Sequence, residues 1–196
     1  MNIEHGYLVL ESGDCFSGLW QGEGAPERAG EVVFNTSHSG YEEIATDPSY
    51  FHQIVVLTAP QMGNYGANDK VWESEKIWLE GFVCVEMQNS WREHSWREKL
   101  LKSGVPILTD VDTRKLVFKL RDFGTPWGAL VRATSAAQAL EKARVLIAEK
   151  KKFDADWVHT VSVKEPRTLK GKNAGGPKIA AIDFGCKTNS YRELLS

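Results

Sequence analysis

The feature that most constrains the fold is a run of hydrophobic, mostly β-branched residues in the first third of the chain. Residues 53–58 read Gln-Ile-Val-Val-Leu-Thr, with four apolar side chains in succession. Successive side chains of a strand point to opposite faces of the sheet, so a strand with this pattern has no face suited to water. The run therefore predicts a strand that is buried on both faces and needs layers of structure on each side.

Strand-like segments surround this run and alternate with helical ones, which predicts an α/β fold with a mixed sheet. Turn residues at 11–14 join two of the strand-like segments into a predicted hairpin. Strands are predicted at 7–10, 15–20, 31–34, 77–85, 105–108 and 127–131, with a bulge at Gly81.

Helices are predicted where capping residues precede an apolar period of three to four. A short helix at 40–45 must end before Asp47-Pro48. The later helices have these start signals: Ser95 with Glu98 as a capping box, Asp110 or Asp112 before a helix through Leu120, and Ser135 before an apolar stripe of Ala136, Leu140, Ala143 and Ile147. Lys150-Lys151-Lys152 in the last turn is typical of a solvated helix end.

A change of composition divides the chain. Residues 1–163 form one predicted domain, and the basic, glycine-rich stretch 164–177 is a predicted linker. Residues 178–185 then resemble a buried parallel strand ending in a glycine turn, and Thr188 or Asn189 can cap a following helix. Residues 178–196 are thus interpreted as the first βα unit of an incomplete doubly wound domain, because one such unit cannot bury its own faces.

Charge and cysteine usage exclude several function classes. The chain has 24 Lys and Arg against 26 Asp and Glu, a balance that favours neither nucleic acid nor an acidic membrane as a partner. Three widely spaced cysteines and five scattered histidines predict no disulfide framework and no metal site. The first residues lack the pattern of a signal peptide, and no apolar run approaches the roughly 20 residues of a membrane span, so a cytoplasmic protein is expected.

Two motifs near the end of the chain have the form of catalytic sequences but lack the context. Asp183-Phe184-Gly185 matches a kinase turn, yet the glycine-rich loop and the His-Arg-Asp sequence of kinases are absent from the sequence. Cys186 follows a strand-to-helix turn, but no glycine after it permits a strained nucleophile elbow. A packing role for Cys186 is therefore favoured, and no catalytic residue is predicted in this chain.

The stretch from Gly30 to Gly66 is the most specific part of the sequence. Five blocks stand there in one order: Gly30 to Ser37, Gly40 to Ile44, Thr46 to Tyr50, Gln53 to Val55 and Gly63 to Gly66. Asp112-Thr113-Arg114 and Asp183-Phe184-Gly185-x-Lys187-x-Asn189 follow. Together these residues closely resemble the small, glutamine-hydrolysing subunit of carbamoyl-phosphate synthetase, and the resemblance covers nearly all 196 residues.

The resemblance implies a swivelling β/β/α domain followed by the start of a class I glutamine amidotransferase domain. In that family a cysteine nucleophile in a Gly-x-Cys-x-Gly elbow, with a His and a Glu, hydrolyses glutamine and releases ammonia. The resemblance places all three beyond Ser196, so this chain alone is expected to be inactive as a truncated subunit. The alternative is a non-catalytic binding or scaffold module that keeps only the docking domain.

The resemblance also implies a partner. In that family the small subunit docks on a large subunit, which uses ATP and Mg to convert bicarbonate and ammonia to carbamoyl phosphate for arginine and pyrimidine synthesis. This chain itself is expected to bind no cofactor. The seven tryptophans can supply either interface anchors or core residues, and the sequence does not separate the two.

Ser49 is the one substrate-binding residue that the resemblance carries over. In the family, the serine of the Asp-Pro-Ser-Tyr element reaches the glutamine held by the second domain. From the residues alone, a serine hydroxyl that caps its own turn is favoured, and the resemblance reverses this preference. Four neighbouring polar residues are expected to hold the loop by hydrogen bonds: Asn35, Thr36, Tyr41 and Asp47.

Overall fold

The computed structural model describes residues 4–90, 95–152, 156–173 and 175–196. Its strands are β1 (Glu4–Leu10), β2 (Cys15–Gln21), β3 (Arg28–Asn35), β4 (Gln53–Leu57), β5 (Gln61–Met62), β6 (Gly81–Val83), β7 (Glu86–Met87), β8 (Ile107–Thr109) and β9 (Trp127–Arg132). Its helices are α1 (Tyr41–Thr46), α2 (Trp96–Lys102), α3 (Thr113–Phe123), α4 (Ala136–Lys151), α5 (Trp157–Val161) and α6 (Thr188–Leu194), with 3₁₀ turns at Pro48–Tyr50 and Asp69–Val71. No described helix has the length and apolar character that crossing a membrane requires.

Seven of the described strands close into a barrel in the order β1-β2-β8-β6-β4-β3-β9. The pairs β3–β4, β4–β6 and β6–β8 are parallel, and the other pairs are antiparallel. The strands β5 and β7 pair with each other outside the barrel. The mixed α/β prediction is confirmed, and closure leaves these seven strands without a free edge.

The central strand β4 is buried on both faces, as its sequence predicts. Ile54 and Val56 point into the barrel with Leu8, Leu108 and Leu130, and α3 adds Leu116 and Leu120 to the same cluster. Val55 and Leu57 lie on the outer face, in a cluster with residues of α1 and α2. A third cluster joins β1 and β9 to α4 through Val9, Val131, Ala139 and Ala143. Helices therefore cover two outer faces of a barrel whose interior is filled with side chains.

The predicted strand at 77–85 is wrong in length, and Gly81 forms no bulge within it. Strand β6 begins at Gly81, which pairs directly with Ile54. A Cβ atom at this position would lie 2.4 Å from Cδ1 of Leu130, so glycine makes room for a large side chain inside the barrel. Residues 77–80 stay irregular, and the backbone N–H of Trp78 donates instead to the carbonyl of Ala45 in α1 (2.9 Å).

The helix starts follow their predicted caps. The side chains of Ser95, Asp112 and Ser135 accept hydrogen bonds from backbone N–H groups in the first turns of α2, α3 and α4. The apolar stripe of α4 differs by one position, because Ala139 is buried and Ala136 is exposed. Gly104 follows α2 with a φ of 71°, as expected of a residue just beyond a helix.

The predicted strand at 178–185 does not form. Ile179 and Ile182 are exposed by 58% and 79%, and none of the described strands pairs with this segment. A parallel strand is held only by its neighbours, so a hydrophobic run without them stays irregular. The helix after it does form as α6, but Lys187 occupies the position before its first residue instead of Thr188 or Asn189.

A buried carboxylate joins α4 to the amino ends of three parallel strands. Glu80, just before β6, accepts hydrogen bonds from Arg28 (2.9 Å), His52 Nδ1 (2.9 Å) and Lys150 (2.5 Å). Burial alone raises the pKa of Glu80, and the three nitrogen donors outweigh it and hold that pKa at about 2. The prediction that the lysines of α4 form only a solvated helix end is therefore wrong for Lys150.

Replacing Glu80 by Gln is expected to lower the free energy of unfolding at pH 7 by about 3 kcal/mol, because two cations lose a buried anion. The folded pKa lies below the reference value of 4.5, so the stabilisation is present above pH 4.5 and is lost as the pH falls toward about 2. Urea unfolding of both proteins between pH 7 and pH 3 measures this difference. The exposed Glu141→Gln is the matched control, and an equal loss in both variants would contradict a special role for Glu80.

Candidate functional site

Ser49 lies at the tip of a tightly capped turn between α1 and β4. Pro48 begins the turn, and the Asp47 side chain accepts a hydrogen bond from the Ser49 backbone N–H (2.9 Å). Ser49 itself is exposed, and its hydroxyl makes no hydrogen bond within the described residues. The alternative of a serine hydroxyl that caps its own turn is therefore wrong, because the Asp47 carboxylate does the capping. The backbone of Ser49 is fixed while its hydroxyl is available.

The second oxygen of Asp47 binds the C-terminal segment. Asp47 is 3% exposed, and its Oδ2 lies 2.7 Å from Nζ of Lys187. The pKa of Lys187 is raised, chiefly by this hydrogen bond to Asp47. One carboxylate thus fixes the turn that carries Ser49 and links it to the residue just before α6.

The predicted loop-holding residues behave as expected at three of four positions. Asn35 donates to the Tyr50 hydroxyl (3.1 Å) and accepts from the Ser37 N–H (2.8 Å). The Tyr41 hydroxyl donates to the Gly66 carbonyl, and Asp47 caps the turn. Thr36 is the exception. Its hydroxyl has no partner among the described residues and lines a pocket beside α3, one residue beyond the end of β3.

Helix α1 positions a second loop, residues 63–74, through side chains on its buried face. Glu42 is 1% exposed and accepts hydrogen bonds from the Asn68 N–H (2.6 Å) and the Trp72 indole N–H (2.8 Å). The Thr46 hydroxyl accepts from the Glu73 N–H (2.9 Å). A buried carboxylate with two N–H donors is an anchor of fixed geometry, so this loop has a defined position relative to Ser49.

The first residues of α6 are hydrogen-bonded to the 63–74 loop. The Glu73 carbonyl accepts from both the N–H and the hydroxyl of Thr188 (2.8 Å each), and its carboxylate accepts from the Asn189 N–H (2.8 Å). Gly185 allows close contact on the other side, since a Cβ there would lie 3.2 Å from Cβ of Pro48 and 2.7 Å from a methyl of Val161. The turn before α6 therefore packs against the turn that carries Ser49.

The remaining candidate residues, the cysteines, take part in turns or in the core. The backbone N–H groups of Gly185 and Cys186 donate to Oδ1 of Asp183 (2.7 and 3.0 Å), so Cys186 closes a turn. Cys84 is buried, which raises the pKa of its thiol to about 12. Among the described ranges, no group of three or more His, Cys, Asp and Glu side chains can hold a metal ion. His94 lies outside those ranges.

The arrangement defines a class of site: an exposed hydroxyl on a capped turn, held against a second segment of the chain. The matching family model is the carbamoyl-phosphate synthase small chain, CPSase domain, over residues 8–130. The chain belongs to this family, and the resemblance seen in its sequence is confirmed.

Relatives match along nearly the whole chain. It is 40% identical to the carbamoyl phosphate synthase small chain of Symbiobacterium thermophilum, with 95% of this chain and 52% of the relative covered. It is 39% identical to that of Aquifex aeolicus, covering 96% and 54%, and 39% identical to the arginine-specific small chain of Bacillus subtilis, covering 97% and 50%. The chain therefore spans about half the length of the curated relatives it matches.

Reasoning from sequence missed two residues that organise this site. Lys187 stands in the run that resembles the amidotransferase entry, but no role was evident without its contact to Asp47. Glu42 has no local signal except its place in the first turn of a short helix. Its partners are 26 and 30 residues away, a separation at which sequence pattern carries no information on contact.

Replacing Lys187 by Met is expected to loosen the contact between the Ser49 turn and α6. The change leaves the buried Asp47 carboxylate with one donor fewer, and hydrogen bonds to charged groups are worth about 1.5–3 kcal/mol. Amide hydrogen exchange in residues 185–195 should therefore become roughly tenfold faster or more.

The matched control is Lys178→Met, which removes an exposed lysine that forms no ion pair with any described residue. Exchange in α6 should be unchanged in this control. Equal protection of α6 in both variants would show that the ion pair does not hold the segment.

Proposed function

We propose that this chain is the N-terminal half of a glutamine-hydrolysing carbamoyl-phosphate synthetase small subunit, in which Ser49 contacts the bound glutamine. The observation that carries the proposal is the exposed Ser49 hydroxyl on a turn whose capping residue also binds Lys187. Lys187 belongs to the run that resembles the entry to an amidotransferase domain. In this proposal residues 1–163 are the swivelling β/β/α domain, 164–177 are the linker and 178–196 begin the amidotransferase domain.

The chemistry of a serine suits an amino-acid substrate. A hydroxyl donates to the carboxylate of glutamine while the same oxygen accepts from the ammonium group. The Asp47 cap already restricts the backbone of the loop before glutamine binds. Binding therefore costs less conformational entropy. In this proposal Ser49 is a substrate-positioning residue, and the nucleophilic cysteine, histidine and glutamate belong to the rest of the amidotransferase domain.

The proposal includes a large subunit as the partner. Ammonia released from glutamine passes to that subunit, which uses ATP and Mg²⁺ to form carbamoyl phosphate in the cytoplasm for arginine and pyrimidine synthesis. The family membership and the arginine-specific relative in Bacillus subtilis support this assignment. The reading frame beyond codon 196 gives a direct test. A stop codon at that point would favour a non-catalytic docking module, whereas a downstream Gly-x-Cys-x-Gly elbow supports the synthetase.

Replacing Ser49 by Ala in the complete small subunit, assembled with its large subunit, is expected to raise the KM for glutamine roughly tenfold or more, because one hydrogen bond to a charged substrate group is lost. The kcat should change little, since the hydroxyl contacts the substrate away from the amide that reacts. Steady-state kinetics with glutamine measures both constants.

Synthesis from added ammonia should be unaffected by the same substitution, because that route does not use bound glutamine. Ser39→Ala, on an exposed serine of the preceding loop, is the matched control. A KM for glutamine that is the same in the Ser49 and Ser39 variants would return Ser49 to a structural role.

A further inference from the structure

A second site lies at the carboxyl ends of β3 and β4, beside α3. A pocket of ≈310 Å³ is lined there by Thr36, Thr58, Thr113, Arg114, Phe118 and Arg121. Thr36 and Thr58 directly follow parallel strands, so they project from the same end of the barrel. The other four residues belong to the first two turns and the third turn of α3. We call this site the arginine pocket.

The arginines of the arginine pocket form no ion pair within the part of the chain that the structure describes, and the guanidinium of Arg121 lies over the ring of Phe34 (5.8 Å to the centroid). No acidic residue is among the described residues that line the pocket. The Thr113 hydroxyl makes no hydrogen bond to any described residue, and its oxygen is not among the fully buried atoms, so it is open to a ligand. The one carboxylate at the start of α3, that of Asp112, is occupied by the Lys115 N–H (2.9 Å).

These properties favour an anionic oxygen ligand. Guanidinium groups are donors in a planar fork that matches a carboxylate, and the hydroxyls supply further donors. The amino end of α3, where Thr113 and Arg114 lie, adds positive potential. Two guanidinium groups without ion-pair partners, beside solvent-accessible hydroxyls, are the pattern of a surface that an anionic partner completes.

The side chain of Phe118 identifies that ligand as part of a protein. Phe118 is 57% exposed and lies between the two arginines on one face of the helix, at i+4 from Arg114 and i−3 from Arg121. A small inorganic anion gains nothing from an exposed aromatic ring, whereas an apolar side chain beside an acidic one covers it. Aromatic residues and arginine are enriched in protein–protein interfaces and carry most of their binding energy.

We propose that the arginine pocket docks an acidic segment of the large subunit, with an Asp or Glu side chain in the pocket and an apolar neighbour on Phe118. This inference rests on the proposed function, because it takes its partner from there. The C-terminal segment of the chain itself is seated elsewhere, on Asp47, Pro48, Val161 and residues 70–73. It therefore leaves the arginine pocket open.

The test measures the affinity of the small chain for its large subunit by calorimetric or surface-based titration. The double variant Arg114→Glu with Arg121→Glu should weaken binding roughly thirtyfold or more, since it places like charges opposite the acidic segment. Phe118→Ala should weaken binding at least about tenfold, chiefly through faster dissociation. Thermal unfolding should be nearly unchanged in all variants, because the altered side chains form no ion pairs in the described chain.

The matched charge control is Lys102→Glu with Arg144→Glu, at exposed positions on α2 and α4. Val145→Ala, at a residue that is 58% exposed, is the control for Phe118→Ala. Both controls should bind like the unmodified chain. Equal weakening in the controls would assign the effect to overall charge and overturn the proposal.

Two further outcomes separate this inference from the function on which it rests. If the unmodified chain does not bind the large subunit at all, the proposed function fails together with the inference. If it binds and the pocket variants bind equally well, only the arginine pocket is excluded as the docking site. Self-association of the chain that is lost in the same variants would identify a second copy as the occupant and also overturn the proposal.

Discussion

The parallel pairing of β3 with β4 determines where the candidate site lies. Two parallel neighbours cannot be joined by a tight turn, so residues 36–52 must travel back along the barrel before β4 begins. Helix α1 makes this return on the outer face of the sheet, where Tyr41 and Ala45 are buried against Val55 and Leu57. The turn that carries Ser49 is the last step of the crossover. Its position therefore follows from the parallel pairing of β3 with β4.

Three buried carboxylates add directional contacts to the hydrophobic clusters. Glu42 binds the 63–74 loop, Asp47 binds the C-terminal segment, and Glu80 binds both β3 and α4. Each carboxylate loses its hydrogen bonds to water on burial, and two or three nitrogen donors at fixed positions replace them. Apolar packing sets which elements lie together, whereas these directional contacts set how the irregular segments are oriented. Removal of one donor therefore affects the orientation of a loop more than the integrity of the barrel.

Local signals in the sequence predict local structure well here. The two-sided burial of β4 follows from its unbroken apolar run, and the caps of α2, α3 and α4 follow from Ser95, Asp112 and Ser135, because each of these effects acts within a few residues. The closure of the barrel was not predictable in this way. It depends on the pairing of β1 with both β2 and β9, and the second partner is more than 100 residues distant.

The two wrong strand predictions share one cause. Residues 77–80 and 178–185 have the hydrophobicity of strands, but a strand exists only where a neighbour supplies hydrogen bonds. Residues 77–80 donate instead to α1 and to Gln53, and 178–185 has no neighbouring strand in the described chain. The candidate site also depends on contacts between residues that are distant in sequence. Ser49 was found from a resemblance, whereas its link through Asp47 to Lys187 required the structure.

The tryptophans and Phe118 show why interface residues are hard to identify from composition. The sequence offers seven tryptophans as candidate anchors, yet all six in the described ranges are buried or half-buried, and Trp91 lies outside those ranges. The exposed aromatic residue that lies between two arginines without ion pairs in the described chain is Phe118, on a helix that buries Leu116 and Leu120 in the barrel cluster. Whether an aromatic side chain is exposed depends on which face of its helix it occupies. The Asp47 carboxylate is paired within the chain itself, whereas the Arg114 guanidinium forms no ion pair with any described residue. This difference in pairing, rather than residue type, distinguishes an internal contact from the proposed docking surface.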